Sequence, residues 1–149
     1  IIPGNHDGNL GSLSIKKIIL ESVHGIIIEK SGLLHGHTIP KQDFGNLDRI
    51  IIGHLHPIFN EYSSPISGSQ IWAVLKVEKK HLFKSRKGIM EIIAIPSFNT
   101  ELTNIGFSNY KQKEISPILR RVRSHANDAV FMTLEGDIIG RLNHLTRLI

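Results

Sequence analysis

Residues 48–57 read DRIIIGHLHP, and this stretch carries the strongest fold signal in the chain. Its run of isoleucines is typical of a strand that is buried on both faces, and Gly53 ends that strand abruptly. Two histidines, His54 and His56, follow at once. Buried strands that end in glycine and lead into polar side chains are typical of an α/β protein, in which such loops gather at one edge of the sheet.

Segments nearer the N-terminus repeat this pattern. The runs GIIIEKSG (25–32) and GLLHG (32–36) predict two more short buried strands. Residues 1–2 predict the last part of another strand, which the Pro-Gly pair then turns. Isoleucines at helical spacing predict a helix over about 12–21, with lysines on its outer face.

Longer strand candidates occupy the second half of the chain, namely QIWAVLKVEKK (70–80), GIMEIIAIPSF (88–98) and AVFMTLEGD (129–137). Glycine-containing and basic turns separate them, so this half predicts an antiparallel continuation of the same sheet. Trp72 lies on an alternating strand and is expected in the core. With no internal repeat, residues 1–149 are interpreted as a single domain, divided into polar loops (1–57) and a sheet continuation with a basic hairpin (58–149).

Composition narrows the classes of function. The chain has no cysteine, which excludes disulfides and thiolate metal sites and favours a cytoplasmic protein. No apolar run approaches the roughly 18–20 residues that a membrane span needs, and no signal peptide is evident, so no membrane partner is expected. Lysine and arginine outnumber the acids 18 to 13, a basic excess that permits an anionic partner without requiring one.

Polar groups follow glycine-marked strand ends in three blocks, GNHD (4–7), GLLHGHTIP (32–40) and GHLHP (53–57). Because strands that end at one edge deliver their loops to that edge, six side chains are expected around one rim: Asn5, His6, His35, His37, His54 and His56. Imidazole and amide donors suit zinc, manganese, iron or nickel. A single histidine is more often a structural side chain with satisfied hydrogen bonds, but six groups at strand ends favour a metal site.

These blocks, GNHD … LLHGH … GHLH, resemble the second half of the signature of the calcineurin-like metallophosphoesterase superfamily, in family order. The strand around Trp72 and the PSFN stretch (96–99) are similar to the branch of small archaeal phosphoesterases related to double-strand-break repair nucleases. The resemblance implies a layered α/β sandwich of mixed β-sheets flanked by helices. It also implies upstream D-x-H and G-D blocks, which this chain lacks. The candidate substitute, Asp137 in EGDIIG (135–140), is interpreted as a turn between two late strands.

The resemblance implies a role for most of the rim. Asn5, His35 and His54 would bind one metal ion, and His56 would reach a first ion that the missing blocks also hold. His6 would contact the phosphate and protonate the leaving oxygen. The complete protein would therefore use two divalent ions, with manganese favoured over iron, zinc or nickel, to hydrolyse a phosphomonoester or phosphodiester, nucleic acid included.

Two neighbouring side chains keep alternative interpretations. Asp7 either orients His6 or caps backbone amides. His37 either supports a ligand by hydrogen bonding from the outer shell of the site or is structural. Because the bridging ligands are absent, this chain alone is expected to bind metal weakly or not at all. An N-terminal segment beyond the given sequence is the favoured source of the missing ligands, a partner chain is the alternative, and a homo-oligomer is left open.

Two other functions remain open. A catalytically degenerate relative would bind nucleic acid or a repair partner through the basic stretch KVEKKHLFKSRK (76–87), with Lys79, Lys80 and Lys84 as candidate contacts, and RRVRSH (120–125) adds further arginines. A solvated hairpin tip and an ordinary helix face explain both basic stretches more simply. The third function is a mononuclear zinc hydrolase of another family that uses the same histidines.

Overall fold

The computed structural model describes residues 1–12, 17–99 and 116–142. In chain order its regular elements are β1 (Ile26–Ile28), β2 (Ser31–Leu34), β3 (Arg49–Ile52), β4 (Trp72–Glu78), β5 (Ile89–Ala94), α1 (Pro117–Val122), β6 (Ala126–Met132) and β7 (Ile138–Arg141). Short 3-10 helices cover Leu10–Ser12, Gln42–Asn46, Lys79–His81 and Arg123–His125. In none of the three described ranges is there a helix that is long and apolar enough to cross a membrane.

All seven strands belong to one mixed sheet, in the order β1-β2-β3-β5-β4-β6-β7. The pairs β2–β3 and β3–β5 are parallel, and the other neighbouring pairs are antiparallel. The expected mixed α/β class is therefore confirmed, as is the antiparallel second half. A second sheet does not occur within the described ranges, so the layered sandwich is not confirmed.

The three parallel strands end at the same edge of the sheet. Their last residues, Leu34, Ile52 and Ala94, lie side by side in the strand register. The loops that follow, residues 35–37, 53–56 and 95–99, therefore leave the sheet together, as the sequence pattern predicts. The loop after β5 is tied to this edge by a hydrogen bond from the amide of Ile95 to the carbonyl of Ile52, 2.9 Å long. We call this border of the sheet the carboxyl edge.

One face of the sheet carries the hydrophobic core. Four side chains on adjacent strands form a row across it, and each is at most 1% exposed: Ile50, Ile92, Leu75 and Ala129. The apolar side chains of α1 are buried in the same cluster, so this helix covers that face. The opposite face is only partly buried, although it carries Ile51, Val74, Ile93 and Val130.

Two expectations for the N-terminal segment are wrong in the described residues. Residues 17–21 are not helical, because Lys17 has a φ of 73° and the following chain runs beside Ile1. The amino group of Ile1 donates to the carbonyl of Ile19, and the amide of Glu21 donates to the carbonyl of Ile1. Residues 13–16 of the expected helix lie outside the described ranges. Residues 1–2, expected to end a strand, are not part of the sheet.

Two expectations about burial also need correction. The strand β1 forms as predicted, but it is an edge strand, and Ile27 and Ile28 are 44% and 51% exposed. Trp72 is only half-buried, because the alternating pattern of β4 directs Ala73, Leu75 and Val77 to the core face instead. The expected strand over 129–137 ends at Met132, and the remaining residues form the turn into β7, as the interpretation of Asp137 predicts.

Candidate functional site

The GNHD block forms a tight turn that places Asn5 next to the loop after β2. The amide of Gly4 donates to Oδ2 of Asp7 at 2.7 Å, and the amide of Asp7 donates to the carbonyl of Gly4 at 3.3 Å. Asp7 therefore caps a backbone amide, one of its two predicted roles, but it closes a turn rather than a helix. A side chain at position 4 would meet the ring of His35 at 2.9 Å, so glycine is what allows this approach.

The side chains predicted to share a metal ion meet at the carboxyl edge. Nε2 of His35 lies 3.1 Å from Oδ1 of Asn5, across 30 residues of sequence. The ring centroids of His35 and His54 are 5.1 Å apart. His37 completes the cluster, with its ring centroid 5.2 Å from that of His35 and 6.1 Å from that of His54.

The backbone of the GHLH block adopts a rare conformation. His54 and His56 have φ values of 63° and 44°, in the left-handed region that side chains with a Cβ seldom occupy. Each such residue costs of order 1–3 kcal/mol and persists only where the surroundings impose it, most often at functional sites. The neighbouring loop turns at Gly36, which has a φ of 112°, and a Cβ there would meet the carbonyl oxygen of Gly53 at 3.1 Å. Glycine thus lets the two loops pack closely.

Burial and crowding keep several of these imidazoles neutral. Burial, followed by the charges of His54 and His37, lowers the pKa of His35 from 6.5 to about 4. Burial and then the charge of His24 lower the pKa of His37. The pKa of His56 is lowered by burial and then by the charge of His6, so His6 lies within electrostatic range of the cluster. Neutral imidazole is the form that binds metal ions.

Asp7 and His37, the two side chains with alternative interpretations, both interact with His35. The charge of Asp7 raises the pKa of both His35 and His37, against the larger opposing effect of burial. Asp7 is thus near enough to stabilise a positive charge in the cluster. Nδ1 of His37 is buried without a hydrogen-bond partner, an arrangement that costs of order 1–3 kcal/mol unless a donor, acceptor or ion meets that atom.

The donor chemistry fits a divalent ion better than the donor positions do. Two atoms bonded to one ion at about 2.1 Å are about 3.0 Å apart in octahedral geometry and about 3.4 Å apart in tetrahedral geometry. The 3.1 Å between Asn5 Oδ1 and His35 Nε2 falls within that range. The same spacing suits a hydrogen bond. In residues 1–12, 17–99 and 116–142, no three His, Asp or Glu side chains converge well enough to hold a metal ion.

Ser116 and His24 support the site, and the sequence did not single them out. The buried hydroxyl of Ser116 donates to the carbonyl of Gly36 and accepts from the amide of Ile118. It therefore caps α1 and fastens the loop that bears His35 and His37. The Ser-Pro pair at 116–117 is a recognisable helix start, but its contact across 80 residues has no local signal. His24 approaches the same loop through Nδ1, 2.9 Å from the carbonyl of Ile39.

The candidate nucleic-acid contacts lie at the other border of the sheet. Lys79, Lys80 and Lys84 follow the end of β4, which runs antiparallel to β5, so they are about 20 Å from the carboxyl edge, the length of a six-residue strand. Lys79 is unsuitable as a contact, because it is 7% exposed and its Nζ lies 3.0 Å from Oδ1 of Asp48. Lys80 and Lys84 are exposed.

No protein-family model, curated protein or solved structure matches the chain. The family resemblance of the three motif blocks therefore stays a prediction, and the assignment of the site depends on its geometry.

Proposed function

We propose that this chain carries part of the active site of a calcineurin-like, metal-dependent phosphoesterase. Its substrate is a phosphomonoester or a phosphodiester, nucleic acid included. Asn5, His35 and His54 hold one divalent ion, preferably manganese, and His56 reaches a second. The layered sandwich, the upstream D-x-H and G-D ligands on a further segment or partner chain, and a cytoplasmic setting belong to the same proposal.

The observation that supports this proposal most strongly is the meeting of three remote segments. Asn5 lies within 3.1 Å of His35, whose ring centroid lies 5.1 Å from that of His54. The pairing of β2 with β3 already brings the loops of His35 and His54 together. Asn5 comes from a turn outside the sheet, so its approach to His35 is the contact that the sheet does not require. The left-handed backbone at His54 and His56 adds weaker support, because Lys17, Glu29 and Ser85, which lie outside the site, also have positive φ values.

The residues divide the chemistry between them. The amide oxygen of Asn5 and the imidazoles of His35, His54 and His56 would act as ligands. Bound divalent ions in such a site supply phosphate polarisation and an acidified water. His6 is exposed and close enough to His56 for their charges to interact, and it would donate a proton to the leaving oxygen. The partly buried face with Ile51 and Val74 is where the second sheet of a sandwich would pack.

Hydrolysis and metal binding test the ligand assignment together. The natural protein that contains this chain should hydrolyse bis-p-nitrophenyl phosphate with Mn²⁺, and His54→Ala should lower turnover by about a hundredfold or more. Calorimetric titration with Mn²⁺ should lose a binding event in the same variant. Lys30→Ala is the matched control, because Lys30 is exposed in the turn between β1 and β2, at the opposite edge. Unchanged turnover and Mn²⁺ binding in His54→Ala would overturn the proposal.

Leaving-group dependence tests the role of His6. A p-nitrophenolate leaves without a proton, whereas an alkoxide needs one. His6→Ala should therefore reduce the hydrolysis of an alkyl phosphate ester by about 10²-fold or more and that of the p-nitrophenyl ester far less. An equal loss on both substrates would assign His6 to phosphate binding instead of proton transfer.

A further inference from the structure

Two basic segments that are distant in sequence meet at the border of the sheet opposite the histidines. β4 and β6 are antiparallel neighbours, and Val77 pairs with Ala126 at this end. The segment after β4 (79–87) therefore lies beside the segment before β6 (120–125). Both also bury side chains in the core, Phe83 from the first and Val122 from the second. The two segments thus form one surface, which we call the basic edge.

The basic edge carries positive charge that few carboxylates offset. Its exposed cations are Lys80, Lys84, Arg86, Lys87, Arg120, Arg121 and Arg123. Of these, only Lys80 forms an ion pair within the described residues, with Oε2 of Glu78 at 2.7 Å. A concentration of unpaired positive charge attracts polyanions, and each phosphate that it neutralises releases counterions.

A stacked pair of histidines lies within this surface. The rings of His81 and His125 are 4.0 Å apart between centroids and only 7° from parallel. His81 is partly buried, whereas His125 is exposed. Each segment supplies one ring, so the stack confirms that the segments are adjacent. A flat, exposed imidazole backed by a second ring is a suitable platform for an unpaired base.

We propose that the basic edge binds single-stranded nucleic acid, with the phosphate backbone along the arginines and lysines and a base stacked on His125. Positive charge alone would equally attract an anionic membrane, but a lipid headgroup has no aromatic base that could stack on the imidazole rings. His125 and the segment 79–87 lie about 20 Å from the histidines at the carboxyl edge, by the length of the strands between them. Arg120 is nearer to those histidines, because its amide donates to the carbonyl of Ser116, whose hydroxyl reaches Gly36. The basic edge around His125 is therefore a separate site, and its failure would not affect the proposed hydrolysis.

Fluorescence polarisation with labelled oligonucleotides tests the backbone contacts. The natural protein should bind both a 15-nucleotide oligo-dT and the matching oligo-U in a salt-dependent manner. Replacing two cations by Arg121→Ala with Arg123→Ala should weaken binding by about 25-fold at 0.1 M salt and lower the salt slope by about 1.4. The control, Lys17→Ala with Lys41→Ala, removes two exposed lysines that are not part of the basic edge and should leave affinity nearly unchanged. Equal losses in both double variants would overturn the proposal.

Replacing one ring tests the stacking. His125→Ala should weaken oligonucleotide binding by about fivefold or more, and His125→Phe should restore it. Neither variant should alter the binding of inorganic polyphosphate of equal length, which has charge but no bases. The proposal is wrong if His125→Ala weakens polyphosphate and oligonucleotide equally. It is also wrong if the protein binds vesicles of anionic lipid but neither oligonucleotide.

Discussion

The left-handed backbone at His54 predicts that glycine will be more stable than alanine at this position. Both substitutions remove the imidazole, so the difference between them isolates the backbone. An L-residue in the left-handed region costs about 1–2 kcal/mol that glycine avoids. Glycine in turn gains about 0.4–1 kcal/mol of extra entropy in the unfolded chain. With φ at 63°, His54→Gly should therefore be more stable than His54→Ala by about 0.5–1 kcal/mol.

Leu55, the next residue, is the matched control. The φ of Leu55 is not positive, so alanine causes no backbone strain there and has less entropy than glycine in the unfolded chain. Leu55→Ala should therefore be more stable than Leu55→Gly by about 0.4–1 kcal/mol. Urea denaturation of the four variants gives the free energies of unfolding, provided that the slopes agree. A reversal of sign between adjacent residues is the expected result. If alanine is the more stable residue at both positions, the loop is not left-handed at His54, and the proposed strain does not exist.

Three further predictions concern pH, a buried clamp and an ion pair. Burial and neighbouring charges lower the pKa of His35 from 6.5 to about 4 in the folded protein. Between pH 6.5 and pH 4 the unfolded chain is therefore protonated at His35 while the folded protein is not, and the free energy of unfolding falls as the pH drops through this range. The loss should be on the order of 1–2 kcal/mol after allowance for solvent screening, and His35→Gln should flatten that part of the urea-denaturation profile against pH. Ser116→Ala removes both a helix cap and a hydrogen-bond donor to the carbonyl of Gly36, so the free energy of unfolding should fall by about 2 kcal/mol. The control, Ser124→Ala at an exposed position, should lower it by less than about 0.5 kcal/mol. Lys79→Ala should lower the free energy of unfolding, measured by thermal denaturation, by about 1–2 kcal/mol, because the Lys79 side chain is buried in an ion pair. Lys80→Ala should lower it by less than about 0.5 kcal/mol. Equal losses in the two variants would contradict the burial of Lys79.

The strands that carry the site could be read from the sequence because their signals are local. The isoleucine run that ends at Gly53 predicts β3 and the direction of its loop, and the same reasoning applies to β2. Because β2 and β3 are parallel, the loops that carry His35 and His54 leave the sheet at the same edge. The same pattern predicted Asn5 at this rim, where its Oδ1 lies 3.1 Å from Nε2 of His35, although residues 1–2 do not form the strand on which that prediction rested.

The errors arose where tertiary contacts override a local pattern. Ile15, Ile18 and Ile19 have helical spacing in the sequence, but backbone hydrogen bonds between Ile1 and residues 19 and 21 hold the described part of this segment in another conformation. Lys79 looks like a surface residue in a basic run, yet Asp48, 31 residues away, provides a partner that allows its burial. The stacked rings of His81 and His125 depend on the pairing of β4 with β6, which the sequence does not specify.

Paramagnetic broadening by Mn²⁺ is the most direct test of the claim that the histidines at the carboxyl edge surround a cation. The imidazole C–H resonances of the natural protein can be followed during a titration with substoichiometric Mn²⁺. Those of His35, His54 and His56 should broaden first, while His81 and His125, about 20 Å away at the basic edge, should remain sharp. Uniform broadening, or broadening that begins at His81 and His125, would contradict the account.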